Sequence, residues 1–153
     1  MVTWYEFFLF LHIAMAVIWV GGAFFLQILA LRVMGTRDEA RMAAFAGDAE
    51  VLGMRIFAPS SVLLLLAGVG LVLNGDWSWS EPFIGIGLAV WLISFLAGVA
   101  YLGPSSGRIK AEIAANGMTP RAQELIGNTL RYSRIELVLL WIVVFMMVVK
   151  LGT

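Results

Sequence analysis

Cysteine is absent from this chain and histidine occurs once, as His12. Without thiols there is no disulfide, no thiolate metal site, no iron–sulfur cluster and no thioether-attached haem. Any metal would depend on His12, methionine, carboxylate, lysine or backbone groups. Charge is scarce as well: Asp, Glu, Lys and Arg make up 13% of the residues, and the ten basic and ten acidic side chains cancel. With no net field and no basic cluster interleaved with aromatics, nucleic-acid binding is set aside. A Gly-rich phosphate loop, a His–carboxylate pair at helical spacing and an HExxH motif are missing too, which argues against a hydrolase. The N-terminal stretch has Glu6 where a secretory signal would carry positive charge. Its apolar run is too long for a cleavable segment and reads as a retained first span.

What remains is oil. Hydrophobic side chains make up 61% of the 153 residues and the mean hydropathy is +0.95, far more apolar surface than one soluble core of this size can bury. A helix crossing about 30 Å of hydrocarbon needs about 20 apolar residues. Four windows meet that requirement, over 4–31, 56–73, 83–102 and 135–151. Arg32, Arg37, Arg41 and Arg55 flank the first connection, and Arg108, Lys110, Arg121, Arg131 and Arg134 flank the third. The second holds Asp76 and Glu81 and no base. By the positive-inside rule the two basic connections are cytoplasmic, and both termini and the short turn are outside. Trp4, Tyr5, Trp77 and Trp79 then suit an outer aromatic belt.

The basic connections read as helical. Residues 36–55 are rich in helix formers, place Met42, Phe45, Ala49 and Leu52 at helical spacing, and offer Thr36 as an N-cap. Thr119 and Pro120 form a cap and first helical residue for 120–130. The first suggests a cytoplasmic extension of helix 1 or 2, and for both a solvated amphipathic linker is favoured over a partner-binding surface. Pro59 reads as the start of a helix or a bend near its end. Gly21, Gly22, Gly68, Gly70, Gly85, Gly87 and Gly98 with Ser94 let helices approach closely in lipid. The expectation is an all-α membrane protein: a single domain over 1–153, a four-transmembrane-helix bundle of up-down topology with helical cytoplasmic connections, in contact with membrane lipids. The spans alternate without a clear internal repeat.

Ionisable groups inside hydrocarbon are costly, so each is a functional candidate. His12 lies about 12 Å along the first helix from Trp4, on a face shared with Tyr5, Phe8, Met15, Trp19 and Ala23. That face suits a flat macrocycle, and equally suits packing. Glu136 and Lys150 differ by only about 40° around the last helix and stand at opposite ends of it, with Met146 and Met147 beside Lys150. Bland readings compete: His12 as a hydrogen-bonded link between helices, Lys150 snorkelling to the interface, and Arg131 and Arg134 as anchors at the inner boundary.

Leu11-His12-Ile13-Ala14 with Ile18-Trp19-Val20-Gly21-Gly22, Arg55-Ile56-Phe57-Ala58-Pro59, and Arg131-Tyr132-Ser133-Arg134-Ile135-Glu136 followed by Val148-Val149-Lys150 together resemble a group of bacterial membrane proteins. The group comprises HemJ-type protoporphyrinogen oxidases, CopD-type copper-resistance proteins and a related uncharacterised family of small integral membrane proteins, the last being the nearest in outline. The HemJ resemblance implies a haem b protein of the bacterial cytoplasmic membrane, with the first-helix histidine and the C-terminal lysine carried over onto His12 and Lys150. Further HemJ histidines have no counterpart here, and copper transport would have to rely on unclustered methionines. The leading expectation is therefore haem b with an electron-transfer or HemJ-like porphyrin-oxidising role. In it His12 is an axial ligand, Lys150, Met146 or Met147 is the second, Met15 and Trp19 lie against the ring, and Arg131 or Arg134 pair with propionates. The second expectation is an ion or small-solute transporter or channel, with Glu136, His12 and Lys150 as a polar track through an oligomeric bundle. The third is an accessory subunit of a membrane complex. A homo-oligomer or a membrane redox partner follows from these readings.

Overall fold

The computed structural model describes residues 2–150. Four helices carry them: α1 Trp4–Thr36, α2 Glu39–Asn74, α3 Pro82–Asn116 and α4 Pro120–Val149, each long and apolar enough to cross a membrane. At 1.5 Å per residue, the 33 residues of α1 extend about 50 Å, well beyond the ~30 Å that hydrocarbon requires. The surplus is what the sequence presented as connections. Residues 39–52 run straight into α2, 103–116 complete α3, and 120–134 begin α4. The basic connections are helical as expected, residues 39–52 extending the second span, and the true loops are 37–38, 75–81 and 117–119. Leu151, the last residue of the expected fourth span, lies outside the described residues.

Capping explains these boundaries. The Thr3 hydroxyl accepts from the Glu6 amide while the Glu6 carboxylate accepts from the Thr3 amide, a reciprocal box that starts α1. Thr36 is not the expected N-cap. It ends α1, Arg37 turns left-handed at φ 55°, and Asp38 caps α2 by accepting from the Arg41 amide. Thr119 does cap α4, accepting from the Ala122 amide at 3.1 Å, with Pro120 first in the helix.

Adjacent helices pack antiparallel: 39–52 of α2 lies on 103–116 of α3, and 58–74 of α2 lies on 82–97 of α3 and on 4–16 of α1. Both basic connections therefore sit at one end of the bundle and the turn 75–81 at the other. The two ends have different cores. Around the basic end Met42, Ala46, Ile109, Ile113, Ala122 and Ile126 form a buried apolar cluster, the arrangement expected where helices leave lipid and need a core of their own. Farther along, Trp19, Val20 and Leu140 are buried with Phe57, Leu64, Trp91 and Val144 against them. The outward surface there is apolar too, with Phe25, Leu66, Ile93 and Val138 each more than half exposed, as lipid solvation demands.

Three of the helices widen into a π-turn midway, at Val17–Gly21, Gly53–Phe57 and Gly98–Leu102. Pro59 accordingly neither starts a helix nor ends one. It stands inside α2 just after the second π-turn, as Pro104 stands just after the third, and the widened turn accommodates a ring that would clash with an ordinary helical turn. These positions expose a repeat that the alternation of spans conceals. Gly53-Met-Arg-Ile-Phe-Ala-Pro-Ser-Ser61 and Gly98-Val-Ala-Tyr-Leu-Gly-Pro-Ser-Ser106 are the same pattern, repeated at an offset of 45 positions from Gly53 to Gly98. Because α2 and α3 run antiparallel, the repeat is inverted.

Gly22 is a point of close approach: a Cβ there would run into the Phe57 ring, across the α1–α2 contact. We expect Gly22→Ala to destabilise the detergent-solubilised protein by about 1–3 kcal/mol, the usual cost of forcing volume into a packed contact. Gly21→Ala, with open space at its Cβ, should unfold at the wild-type temperature in the same thermal series.

Candidate functional site, a polar cavity between the π-turns

The inverted repeat and the polar side chains meet in one place. A cavity of ≈ 150 Å³ lies at the level of the π-turns, and the two repeats line it in the same register: Gly53 and Gly98, Phe57 and Leu102, Ala58 and Gly103, Ser61 and Ser106. Helix α1 adds Trp19, Ala23, Gln27 and Ala30, one stripe at helical spacing, and α4 adds Thr129, Ser133 and Glu136. All four helices therefore contribute.

The lining is mostly apolar, and several polar side chains interrupt it. Ser61 and Ser94 are fully buried, at 0% and 1% exposure. Ser61 Oγ donates to the Ala58 carbonyl at 2.8 Å and Ser106 Oγ to the Leu102 carbonyl at 3.0 Å, each returning a hydrogen bond to its own helix near the π-turn. Trp91 Nε1 donates across to the Ser61 carbonyl at 2.9 Å and ties α3 to α2. Among the described residues, three buried side-chain polar atoms have no partner: Gln27 Nε2, Ser94 Oγ and Thr129 Oγ1. All three residues line this cavity. A buried polar atom left unpaired costs roughly 1–3 kcal/mol, so three on residues around one cavity mark it as the candidate site. Glu136 is the only ionisable residue in the lining.

The other expected site residues lie elsewhere. His12 Nδ1–H donates to the Leu64 carbonyl of α2 at 2.9 Å, and the ring rests against Gly68, where a Cβ would come 3.2 Å from its Cε1. The structure thus makes His12 a helix-to-helix link whose remaining nitrogen is Nε2. We expect His12→Phe to lose about 1–2 kcal/mol in an unfolding titration, the scale of one interhelical hydrogen bond in lipid. Lys150 Nζ sits 4.2 Å from the centroid of the Trp77 ring at the turn end, beside an open pocket formed by Tyr5, Asn74, Gly75, Asp76 and Trp77. Met147 packs its methyl group against Gly87 of α3, and Arg131 and Arg134 are exposed. Of the residues expected to surround a haem, Trp19 alone lines the central cavity; His12, Met15, Met146, Met147, Lys150, Arg131 and Arg134 do not. Of the expected polar track, Glu136 lines it and His12 and Lys150 do not. No group of three or more His, Cys, Asp or Glu side chains suited to a metal occurs among the described residues.

Gln27, Thr129 and the pairing of Ser61 with Ser106 went unnoticed in the sequence because single hydroxyls and amides are common in membrane helices, and Ser94 was read there as a packing residue only. The signal that finds them is the repeated Gly-x4-[Ala/Gly]-Pro-Ser-Ser pattern. No curated protein and no solved structure matches this chain. Residues 6–151 match the family described as predicted integral membrane protein (DUF2269), and the chain belongs to that family.

Proposed function

We propose that this protein binds a small polar solute within the bilayer and passes it across. The observation that carries the reading is the central cavity, whose lining includes Glu136 and three residues, Gln27, Ser94 and Thr129, that hold unpaired buried polar atoms. The inverted repeat supports transfer over static storage. Broken or widened helices in antiparallel repeats surround midplane sites in transport folds, because each half can release the site to one side. The basic connections assign the end carrying 37–38 and 117–119 to the cytoplasm and the turn 75–81, with both termini, to the outside; the inner membrane of a bacterium is the setting this reading takes.

Proteoliposomes test it. Vesicles containing the protein should equilibrate at least one small solute, from a panel of urea, glycerol and alkali chlorides, faster than empty vesicles. Ser94→Phe, which fills the void with a ring, should return the rate to that of empty vesicles while the protein still elutes as a folded species. Wild-type vesicles that never outpace empty ones would end the reading.

A second reading rests on His12. A carbonyl that takes the Nδ1 proton of an imidazole fixes its tautomer and orients Nε2, the usual preparation of a metal-binding histidine. With the HemJ and CopD resemblance this keeps haem b, and an electron-transfer or porphyrin-oxidising role, in play. The check is an absorption spectrum of protein purified from haem-replete cells: a Soret band that disappears in His12→Ala supports it, and a colourless preparation that haemin does not restore removes it.

A further inference from the structure

Arg131 and Arg134 stand on the outward stripe of α4, and both are exposed. Ile135, Val138, Ile142 and Phe145 continue that stripe toward the Val149 end, each about half exposed, since all six positions fall within about 100° around the helix. Along the axis Arg134 is about 22 Å and Arg131 about 27 Å from that end, where the hydrocarbon of about 30 Å gives way to headgroups. Guanidinium groups at this depth are costly unless they reach an anion.

The chain does not supply one. Helix α4 packs on α1 and α3, whose acidic residues are Glu6, at the opposite end of the bundle, and Glu112, which accepts from Thr119 beside the loop 117–119. On α4 itself Glu136 is turned about 140–160° away from the two arginines, and Glu124 lies about 10 Å beyond Arg131. Among the described residues neither arginine forms an ion pair. One turn from Arg131 toward the basic end the stripe carries Gly127, where a Cβ would meet nothing within 4 Å, so the approach to the pair is uncovered. Tyr132 flanks it, 54% exposed and edge-on to Tyr101 of α3 at 4.7 Å, an amphipathic ring at headgroup level.

We infer that this face of α4 is a docking site for an anionic phospholipid of the leaflet at the basic end. Its phosphate meets the two guanidinium groups, whose planar donors suit phosphate oxygens, and its acyl chains lie along Ile135, Val138 and Ile142. A zwitterionic lipid brings its own ammonium group and leaves the paired positive charges uncompensated. The site is on the outer surface, separate from the central cavity, and stands whatever that cavity binds.

Native mass spectrometry of the detergent-purified protein tests it, with phosphatidylglycerol and phosphatidylcholine offered at equal concentration. Phosphatidylglycerol should be retained at about tenfold the level of phosphatidylcholine, the scale of one contact between charged groups. The double variant Arg131→Gln with Arg134→Gln should retain both lipids alike. Arg37→Gln with Arg41→Gln, which removes the same charge at the tip of the bundle, should keep the preference. Gly127→Phe leaves every charge in place and covers the approach, and should cut the preference several-fold. Circular dichroism and elution volume show whether each variant folds; if the double glutamine variant does not, Gly127→Phe decides. Equal retention of the two lipids by the wild type, or a preference that survives in the double variant or in Gly127→Phe, overturns the site. A preference lost equally in the tip variant also overturns it, because total charge and not this face would then select the lipid.

Discussion

Ile113→Ala should destabilise this protein more than Leu140→Ala, although both truncate a buried aliphatic side chain. Ile113 is 6% exposed in the cluster at the basic end and Leu140 is 4% exposed beside Trp19. Burial alone predicts similar losses. Solvent decides otherwise. When the cluster at the basic end comes apart, Ile113 meets water, so its truncation forfeits both the transfer free energy and the packing, about 2–5 kcal/mol in total. When α4 separates from its neighbours inside hydrocarbon, Leu140 meets lipid tails as apolar as itself. Only the packing is lost, and the expected change falls to about 1–2 kcal/mol. Unfolding titrations of the two variants in one detergent series make the comparison. Equal losses would mean that the two clusters face the same solvent, and that the helices do not leave the bilayer where their length says they do.

Much of this architecture was legible in the residues, and the reason is physical. Hydrocarbon forces every backbone group to bond within its own segment, so long apolar runs leave helix as the available answer, and the family the chain belongs to is one of integral membrane proteins. Length was harder to read. Arg32, Glu39 and Arg41 look like the residues of a connection because charge belongs in water, but a helix that passes out of the membrane continues in water without interruption. Met42, Ala46, Ile109 and Ile113 then hold it there. Thr36 and Asp38 differ by two positions and are both competent caps; the left-handed Arg37 between them chose Asp38.

The site was legible only in part. Glu136 stood out because a carboxylate in hydrocarbon always does, and it does line the cavity. His12 stood out for the same reason, and of the two readings it allowed the structure shows the link between helices, its Nδ1–H meeting the Leu64 carbonyl while Nε2 is left over. What single-residue reasoning overlooks is pairing. Ser61 and Ser106 are unremarkable alone. Set in copies of one motif on antiparallel helices, they face the same void. Proline gives the clue, because Pro59 and Pro104 each require a departure from regular helix, and a departure shared by two facing helices opens space between them.

Arginine at position 138 should have the largest effect of any single change on the outer surface. Val138 is 59% exposed and shares a stripe of α4 with Trp141, Ile142 and Phe145, all at least half exposed or nearly so. Glu136 and Leu140 are rotated about 200° from it and face the bundle. In water such a stripe would tolerate arginine without difficulty. Val138 lies about 17 Å from the Val149 end of the helix, close to the bilayer midplane, where insertion scales put arginine at roughly 2.5–3.5 kcal/mol. We therefore expect Val138→Arg to reduce membrane insertion of α4 several-fold in a glycosylation-reporter assay, and to lower the yield of folded protein to match. Glu124→Arg, an exposed position on the same helix near the basic end, should insert like wild type. The paired result matters more than either alone: if arginine at 138 were as harmless as arginine at 124, the stripe would face water, and the cavity that Glu136 lines would then sit in a soluble bundle with no membrane for a solute to cross.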